Sequence, residues 1–186
     1  MMTTVFIAGS IKIKKLAPEF INRIANIVRD EMNILVGDAN GADSSIQSEL
    51  FRQNAQNVTV FCSDDMPRNN IGSWKFQQVH STATPGSRAF YTAKDLAMAA
   101  KADYGLMLWD CASTGTLSNV LELLAQDKKS AVYINRDKEF VVVKQHSDLL
   151  RLVSFMSDGA KKTAERKIGL SKKLSLLANE QFGLAL

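Results

Sequence analysis

The sequence predicts an α/β protein of Rossmann-like type, a three-layer sandwich with a mostly parallel sheet and a helical C-terminal extension. Short apolar runs rich in β-branched residues alternate with segments of helical periodicity. Several of these runs are apolar at nearly every position, which is expected of strands that helices cover on both faces. A chain of 186 residues, 46% of them hydrophobic, suits one such domain.

The first third of the chain contains three predicted strands separated by two predicted helices. The strands are the runs TTVFIAGS (3–10), NILVG (33–37) and NVTVFC (57–62). Residues 17–32 are predicted to be a helix because Pro18 lies near its first turn and apolar residues recur at helical spacing. A Gly-rich turn after the second strand leads into the next predicted helix, at about residues 42–54.

The rest of the chain begins with residues 63–87, which show no periodicity and are predicted to be an irregular loop, functional or mobile. Helical and apolar patterns then alternate again: helix 88–102, strand 103–110, helix 116–126, and strands 129–134 and 139–144. From about His146 the pattern is helical, with a break at Gly159 before a last amphipathic helix. We therefore divide the chain into a domain at 1–145 and an extension at 146–186, which packs on the domain or on a partner subunit.

Polar clusters follow three of the predicted strands at the point where each strand ends. Ser10 follows the first strand, GDANGAD (37–43) the second and DCASTGT (110–116) the fourth. In a parallel sheet these ends share one rim, and ligands collect there, where the strand order reverses. The sequence therefore predicts one ligand site built from all three clusters.

The cluster DCASTGT favours an anion. If the helix begins at Leu117, the amides around Gly115 and Thr116 have no intrahelical partner, and the hydroxyls of Ser113, Thr114 and Thr116 add donors. Simple N-capping would explain one hydroxyl, not a run of them. A helix terminus favours an anion by only about 0.3–2 kcal/mol, so it needs help from hydrogen bonds or from a second positive group. We expect phosphate or pyrophosphate here.

The cluster GDANGAD is weaker evidence for a ligand site when it is considered by itself. In GDANGAD, Gly37 and Gly41 permit close approach, while Asp38, Asn40 and Asp43 accept hydrogen bonds from ribose or simply cap the next helix.

The balancing positive charge is expected from one of two residues just before the fourth strand. Arg88 and Lys94 are the candidates, although both are also consistent with an ordinary helix surface. Four aromatic residues in or near the long loop either cover a base or belong to the core: Trp74, Phe76, Phe90 and Tyr91.

These motifs resemble those of the SLOG superfamily of Rossmann-like proteins. The resemblance spans about residues 3–135 and is carried by FIAGS, LVGDANGAD and KDLAMAAKADYGLMLWDCASTGTLSNVLELLAQDKKSAVYI. The superfamily includes LOG-type nucleotide phosphoribohydrolases, the DNA processing protein A family and sensors of nucleotide-derived ligands. More narrowly, the chain resembles an uncharacterised bacterial and phage branch that combines GDANGAD-like and WDxxSxGTxxN-like elements.

The resemblance implies a site in which a GGxGTxxE loop holds phosphate and its Glu supports cleavage of an N-glycosidic bond. The loop corresponds here to Ser113–Thr116, but the position of that Glu is occupied by Asn119. An amide cannot act as a carboxylate base, and losing one typically costs about 10²- to 10⁴-fold in rate. The asparagine at this position also weakens a likeness to nucleoside deoxyribosyltransferases, because those enzymes need a carboxylate nucleophile. Glu122 lies one helical turn beyond Asn119 and would be farther from the rim. Asp110 and Asp43 are better placed and are the catalytic candidates.

The leading hypothesis is binding of a nucleotide or nucleotide-derived ligand, with no cofactor and no metal. The alternatives are an N-glycosidase or phosphoribohydrolase, and a nucleic-acid or protein adaptor that uses the basic C-terminal helix. The predicted ligand-binding residues are Gly9, Ser10, Gly37, Asp38, Asn40, Gly41, Asp43, Arg88, Lys94, Asp110, Ser113, Thr114, Gly115, Thr116 and Asn119.

Charge and composition argue against a broad nucleic-acid-binding face, a membrane protein, a secreted protein and a zinc protein. The net charge of +4 lies entirely in residues 160–186, with six basic and two acidic side chains, while the rest is neutral. A broad nucleic-acid-binding face is therefore not favoured. No apolar run is long enough for a membrane span, and no secretory signal is apparent, so we expect a cytoplasmic protein. Two cysteines and two histidines give little support for zinc. The resemblance favours a homo-oligomer.

Overall fold

The computed structural model describes residues 2–183, and side chains as far as residue 179. Its strands are β1 (Thr4–Gly9), β2 (Asn33–Gly37), β3 (Val58–Cys62), β4 (Lys75–Gln78), β5 (Tyr104–Trp109), β6 (Lys129–Ile134) and β7 (Glu139–Val143). Its helices are α1 (Pro18–Arg29), α2 (Ala42–Arg52), α3 (Arg88–Lys101), α4 (Thr114–Ala125), α5 (His146–Ser154), α6 (Asp158–Ile168) and α7 (Leu170–Gly183).

All seven strands form one sheet in the order β4-β3-β2-β1-β5-β6-β7. Every neighbouring pair is parallel except β6 and β7, which are antiparallel. The chain builds outward from β1 to β4, then crosses back to place β5 on the other side of β1. This confirms the predicted Rossmann-like fold. It also puts the reversal of strand order between β1 and β5, where ligands bind in such sheets.

The core lies in two layers, one on each face of the sheet. In β1, Val5 and Ile7 pack with α1 and α2, while Phe6 and Ala8 pack with α3, α4 and the C-terminal helices. Because both faces are covered, the strand has no polar face, which explains its continuous apolar run. Cys62 and Cys111 are buried free thiols.

The prediction of an irregular loop over residues 63–87 is wrong at β4 and correct on either side of it, where residues 63–74 and 79–87 form neither helix nor strand. The strand pairs parallel to β3 at the edge of the sheet. Its sequence, KFQQ, has no apolar pattern, since an edge strand with exposed side chains buries little. The turn before it is fixed by Trp74, whose indole N–H donates to the carbonyl of Ala55 at 2.8 Å.

The C-terminal helices pack on the face of the sheet that carries α4. Leu152, Ala164, Leu170 and Leu177 are buried in the same core as α4 and β7. The predicted break at Gly159 is wrong: Gly159 lies in the first turn of α6, and the chain instead bends at residues 155–157 and at Gly169, which is left-handed with φ 61°. Ser157 caps α6 by accepting from the N–H of Ala160, so the helix continues through the glycine. Within the described residues, no helix is long and apolar enough to cross a bilayer.

Candidate functional site

A pocket of about 340 Å³ opens at the reversal point between the carboxyl ends of β1 and β5. We call it the rim pocket. The predicted site residues that line it are Gly9, Asp43, Arg88, Lys94, Ser113, Gly115, Thr116 and Asn119. They come from the end of β1, α2, α3 and the start of α4. The other predicted residues do not line it: Ser10, Gly37, Asp38, Asn40, Gly41, Asp110 and Thr114.

The N-terminus of α4 begins earlier than predicted, at Thr114 rather than Leu117. Ser113 is the N-cap, and its hydroxyl accepts from the N–H of Thr116 at 3.4 Å. Among residues 2–183, the structure gives no acceptor for the amides of Thr114 and Gly115. The predicted set of open amides is therefore shifted toward the N-terminus, and Thr116 is capped by the protein itself.

Ser10 and Asp110 hold the strand ends together and lie outside the wall of the rim pocket. The Asp110 carboxylate oxygen Oδ1 accepts from the amides of Ala112 (3.0 Å) and Ser113 (2.6 Å). It also accepts from the hydroxyl of the fully buried Ser10 at 3.1 Å, and that hydroxyl accepts from the Asp110 amide. The pair thus shapes the loop before α4.

Arg88, one of the two predicted cations, lies beside the open amides. It begins α3, whose N-cap Ser87 accepts from the N–H of Phe90. Its Nη1 donates to Thr114 Oγ1 at 3.1 Å, which fixes the guanidinium beside the first turn of α4. An anion on the Thr114 and Gly115 amides would therefore also face Arg88.

In the GDANGAD turn, Asp38 is fully buried and has a partner that the sequence did not reveal. Its carboxylate accepts from Arg68 Nη2 at 2.8 Å and Nε at 3.0 Å, and from the Arg68 amide at 3.1 Å. Burial alone would raise the pKa of Asp38, but the hydrogen bonds from Arg68 hold it below its ordinary value. Asp38 is therefore occupied within the protein.

The other turn residues also act as supports behind the rim pocket. Asn40 Oδ1 accepts from Asn69, and the carbonyl of Gly37 accepts from Gln47. Gly41 is the N-cap of α2, with φ 82° and ψ −123°, and its backbone lies against the carbonyl of Ile11. These contacts fix the turn and the loop after β3, so that Ala39 and Asp43 are the residues of this motif that reach the pocket.

Arg68 and Tyr91 form a pair in the pocket that the sequence patterns did not reveal. The guanidinium carbon of Arg68 lies 4.6 Å from the centre of the Tyr91 ring, and both residues line the rim pocket. Arg68 belongs to a segment with no periodicity, which gave no reason to single it out. A buried acid directly after a strand signals that a cation is needed, but not which one.

The floor of the rim pocket holds a lysine between two carboxylates. Lys94 Nζ lies 2.9 Å from Asp95 Oδ1 and 3.9 Å from Asp43 Oδ2. Burial favours the neutral amine, but Asp95 and Asp43 outweigh it and raise the pKa of Lys94. Burial raises the pKa of Asp43 to about 6, although Lys94 opposes the shift. The carboxyl of Asp43 is thus the group in the pocket that titrates nearest to neutrality.

Asn119 completes the floor with an unused amide. Its side chain is only 7% exposed, lines the rim pocket and makes no hydrogen bond to any described residue. It lies one turn beyond Gly115 on the same face of α4. Because Asn119 is not among the residues with a fully buried, unsatisfied polar atom, its amide is open to the pocket and free to bind a polar ligand.

A second pocket, of about 510 Å³, adjoins the first across the loop before α4. Ser113 and Gly115 line both pockets. Its wall also includes Thr114, Asp110, Lys12, the first turn of α6 and Lys167. We call it the outer pocket, and it is where the basic C-terminal region reaches the site.

Comparison with known proteins gives a structural similarity and no sequence match. No protein-family model matches the chain, and neither does any curated protein. Among solved structures, the fold is similar to that of DNA processing protein A from Helicobacter pylori, with a TM-score of 0.56 over 88% of this chain and 79% of that chain. That protein has a single-stranded DNA binding mode. At 14% identity the likeness extends to the fold, so the chain has a Rossmann-like fold similar to that of DNA processing protein A.

Proposed function

We propose that the rim pocket binds a nucleotide or a nucleotide-derived ligand. The observation that carries the proposal is the meeting of the open Gly115 amide with Arg88 in a pocket that also contains the unpartnered Asn119. Thr114, whose amide is also open, lies next to Gly115 in the wall of the outer pocket. The amides and the guanidinium suit a phosphate group. The Asn119 amide suits a group that both donates and accepts hydrogen bonds, as sugar hydroxyls do.

The spacing along α4 supports this placement. Asn119 follows Gly115 by four residues, which corresponds to about 6 Å along a helix. That separation suits the step from a phosphate to the ribose that carries it, with Asp43 as a second acceptor for the hydroxyls. The pocket volume of about 340 Å³ lies at the small end of ligand sites, which are commonly about 300–1,000 Å³. The rim pocket by itself therefore suits a ligand of mononucleotide size.

Binding without turnover is the form of this proposal that the site favours. The position that the SLOG resemblance assigns to a glutamate holds Asn119, and Asp110 lies in the wall of the outer pocket rather than the rim pocket. Asp43 is the candidate carboxylate that a glycosidase would have to use here. Release of free base from nucleoside monophosphates, abolished by Asp43→Asn, would establish the enzymatic alternative.

The test is a Gly115→Asp variant. A Cβ at this position meets nothing closer than Ser113 Oγ at 3.9 Å, so the fold accepts the side chain while a carboxylate enters the anion site. We expect the affinity for AMP or ADP-ribose to fall about tenfold, because the added carboxylate would repel a phosphate bound at the same amide. Isothermal titration calorimetry measures the change.

Gly159→Asp is the matched control. Gly159 also lies in a first helical turn with open space around it, but it borders the outer pocket. It should reduce AMP binding much less than Gly115→Asp does, since its carboxylate would be exposed to solvent and screened by salt. If neither nucleotide binds to the natural protein, or if Gly115→Asp binds them equally well, the proposed site is wrong.

Single-stranded DNA is a second candidate ligand. It is favoured by the single-stranded DNA binding of the structurally similar DNA processing protein A and by the outer pocket, which continues the rim pocket toward Lys12 and Lys167. A strand with one phosphate at Gly115 would bring neighbouring phosphates to these lysines. Binding of single-stranded DNA requires more contacts between basic side chains and phosphates than binding of a mononucleotide does.

We expect a Lys12→Glu/Lys167→Glu variant to separate the two candidates. If single-stranded DNA is the ligand, the variant should bind a labelled oligothymidylate more weakly than the natural protein does. The slope of log affinity against log salt concentration should become shallower by about one for each lost phosphate contact. AMP binding should be unchanged. Fluorescence anisotropy across a salt series measures both effects. Deletion of residues 160–186 is a poorer test because it removes Ala164, Leu170 and Leu177 from the core.

A further inference from the structure

The charges at the rim pocket balance before any ligand arrives. Three cations line it and three carboxylates lie in or directly behind its wall: Arg68, Arg88 and Lys94, with Asp38, Asp43 and Asp95. An incoming phosphate therefore meets no net positive charge over the pocket as a whole. Arg88 and the open amides attract it locally, while the carboxylates on the floor oppose it.

Most of these charges are fixed by their partners. Asp38 accepts three hydrogen bonds from Arg68, and Lys94 donates to Asp95 at 2.9 Å. Asp43 has the weakest set of contacts: the Ala39 amide at 3.3 Å and Lys94 at 3.9 Å. Asp43 is therefore the carboxylate that a nearby anion can most easily convert to its neutral form.

We propose that an anionic ligand in the rim pocket is accompanied by uptake of a proton from solvent at the Asp43 carboxylate. The inference rests on the proposed function, and it assigns a pH dependence to the same site. The step is a simple protonation: the carboxylate becomes a carboxylic acid, and the ligand keeps its charge. Protonated Asp43 also gains an O–H donor that a ligand oxygen can accept.

The groups that face Asp43 explain why its carboxylate is ionised in the free pocket and would take up a proton when an anion binds. From α3, Lys94 favours the carboxylate and Asp95 opposes it; from the end of β2, Asp38 opposes it and the Ala39 amide favours it. These influences and burial leave the pKa of Asp43 at about 6. A negative ligand, like Asp95 and Asp38, disfavours the carboxylate and raises the pKa of Asp43. A further rise of about one pKa unit is enough to protonate much of Asp43 near neutrality.

Calorimetry with ADP-ribose in buffers of different ionisation enthalpy measures the proton count directly. ADP-ribose is the chosen probe because its diphosphate diester does not titrate near neutrality, unlike a phosphate monoester. For a rise of about one pKa unit we expect uptake of about half a proton per ligand, greatest between about pH 6 and pH 7. Affinity should weaken up to about tenfold as the pH rises through this interval.

Two variants locate the proton. Asp43→Asn should abolish the uptake and make the affinity independent of pH. Asp127→Asn is the matched control: Asp127 is exposed beyond the far end of α4, at φ 55°, where Asn is tolerated, and it should leave the uptake unchanged.

The outcomes distinguish the two proposals. Binding of ADP-ribose without proton exchange, or uptake that persists in Asp43→Asn, overturns this inference and leaves the binding site intact. If AMP binds and ADP-ribose does not, the proton count is made with AMP, and an uptake equal in the natural protein and in Asp43→Asn overturns the inference; if neither ligand binds, both proposals fall. A direct check in the natural protein is the carboxyl carbon resonance of Asp43, which should titrate at higher pH in the complex than in the free protein.

Discussion

Replacement of Gly41 by Ala is expected to lower the free energy of unfolding by about 3–5 kcal/mol, from backbone strain and steric overlap together. The residue has φ 82° and ψ −123°, a conformation that side chains rarely adopt. An added Cβ would also overlap the carbonyl oxygen of Ile11. Because Gly41 is the N-cap of α2, relief of the overlap would move Asp43 and so weaken ligand binding as well.

Gly86→Ala separates the two causes. Gly86 has a similar φ of 80° but nothing within 4 Å of an added Cβ, so it should show the strain alone, about 1 kcal/mol. Urea denaturation of both variants measures the difference. Equal losses would show that the contact with Ile11 does not constrain the turn.

Lys94→Met is expected to destabilise the protein by about 3–5 kcal/mol at neutral pH, because removing one member of a buried ion pair leaves charge uncompensated. Lys94 is 4% exposed and faces Asp43 and Asp95. Methionine has nearly the same length, so the packing is kept while the ammonium is lost. The variant therefore isolates the charge.

The loss in Lys94→Met should depend on pH. Without the ammonium, the pKa of the buried Asp43 carboxyl rises beyond its present value of about 6. A carboxyl whose folded pKa is raised destabilises the fold above that pKa and ceases to do so as the pH falls below it. The difference in unfolding free energy from the natural protein should therefore shrink between about pH 7 and pH 5.

Lys172→Met is the control for Lys94→Met. Lys172 lies on the exposed side of α7, and its loss should change stability by no more than about 0.5 kcal/mol at any pH. A loss in Lys94→Met that is equally small, or that grows on acidification, would show that the lysine does not compensate the floor carboxylates.

The candidate site was partly accessible from sequence because each polar cluster directly follows a strand. Gly115 and Thr116 were found this way, whereas Asn119 was found by counting along the loop motif that the SLOG resemblance supplies. Arg68 was not found, because its place beside Asp38 depends on a loop with no periodicity. The uses of Asp38 and Asp110 were also hidden: a carboxylate after a strand looks the same whether it faces a ligand or a partner in the protein.

The sequence by itself determined the strands and helices of the sheet, because burial on both faces demands apolar runs and covering helices demand a regular period. It did not determine β4, an edge strand that buries little, or the bends around α6, where capping by Ser157 overrides the helix-breaking tendency of Gly159. Only the tertiary structure decided which polar groups remain free for a ligand. That depends on contacts between residues far apart in the chain, such as Arg68 with Asp38 and Lys94 with Asp43, and these contacts leave no periodic signal.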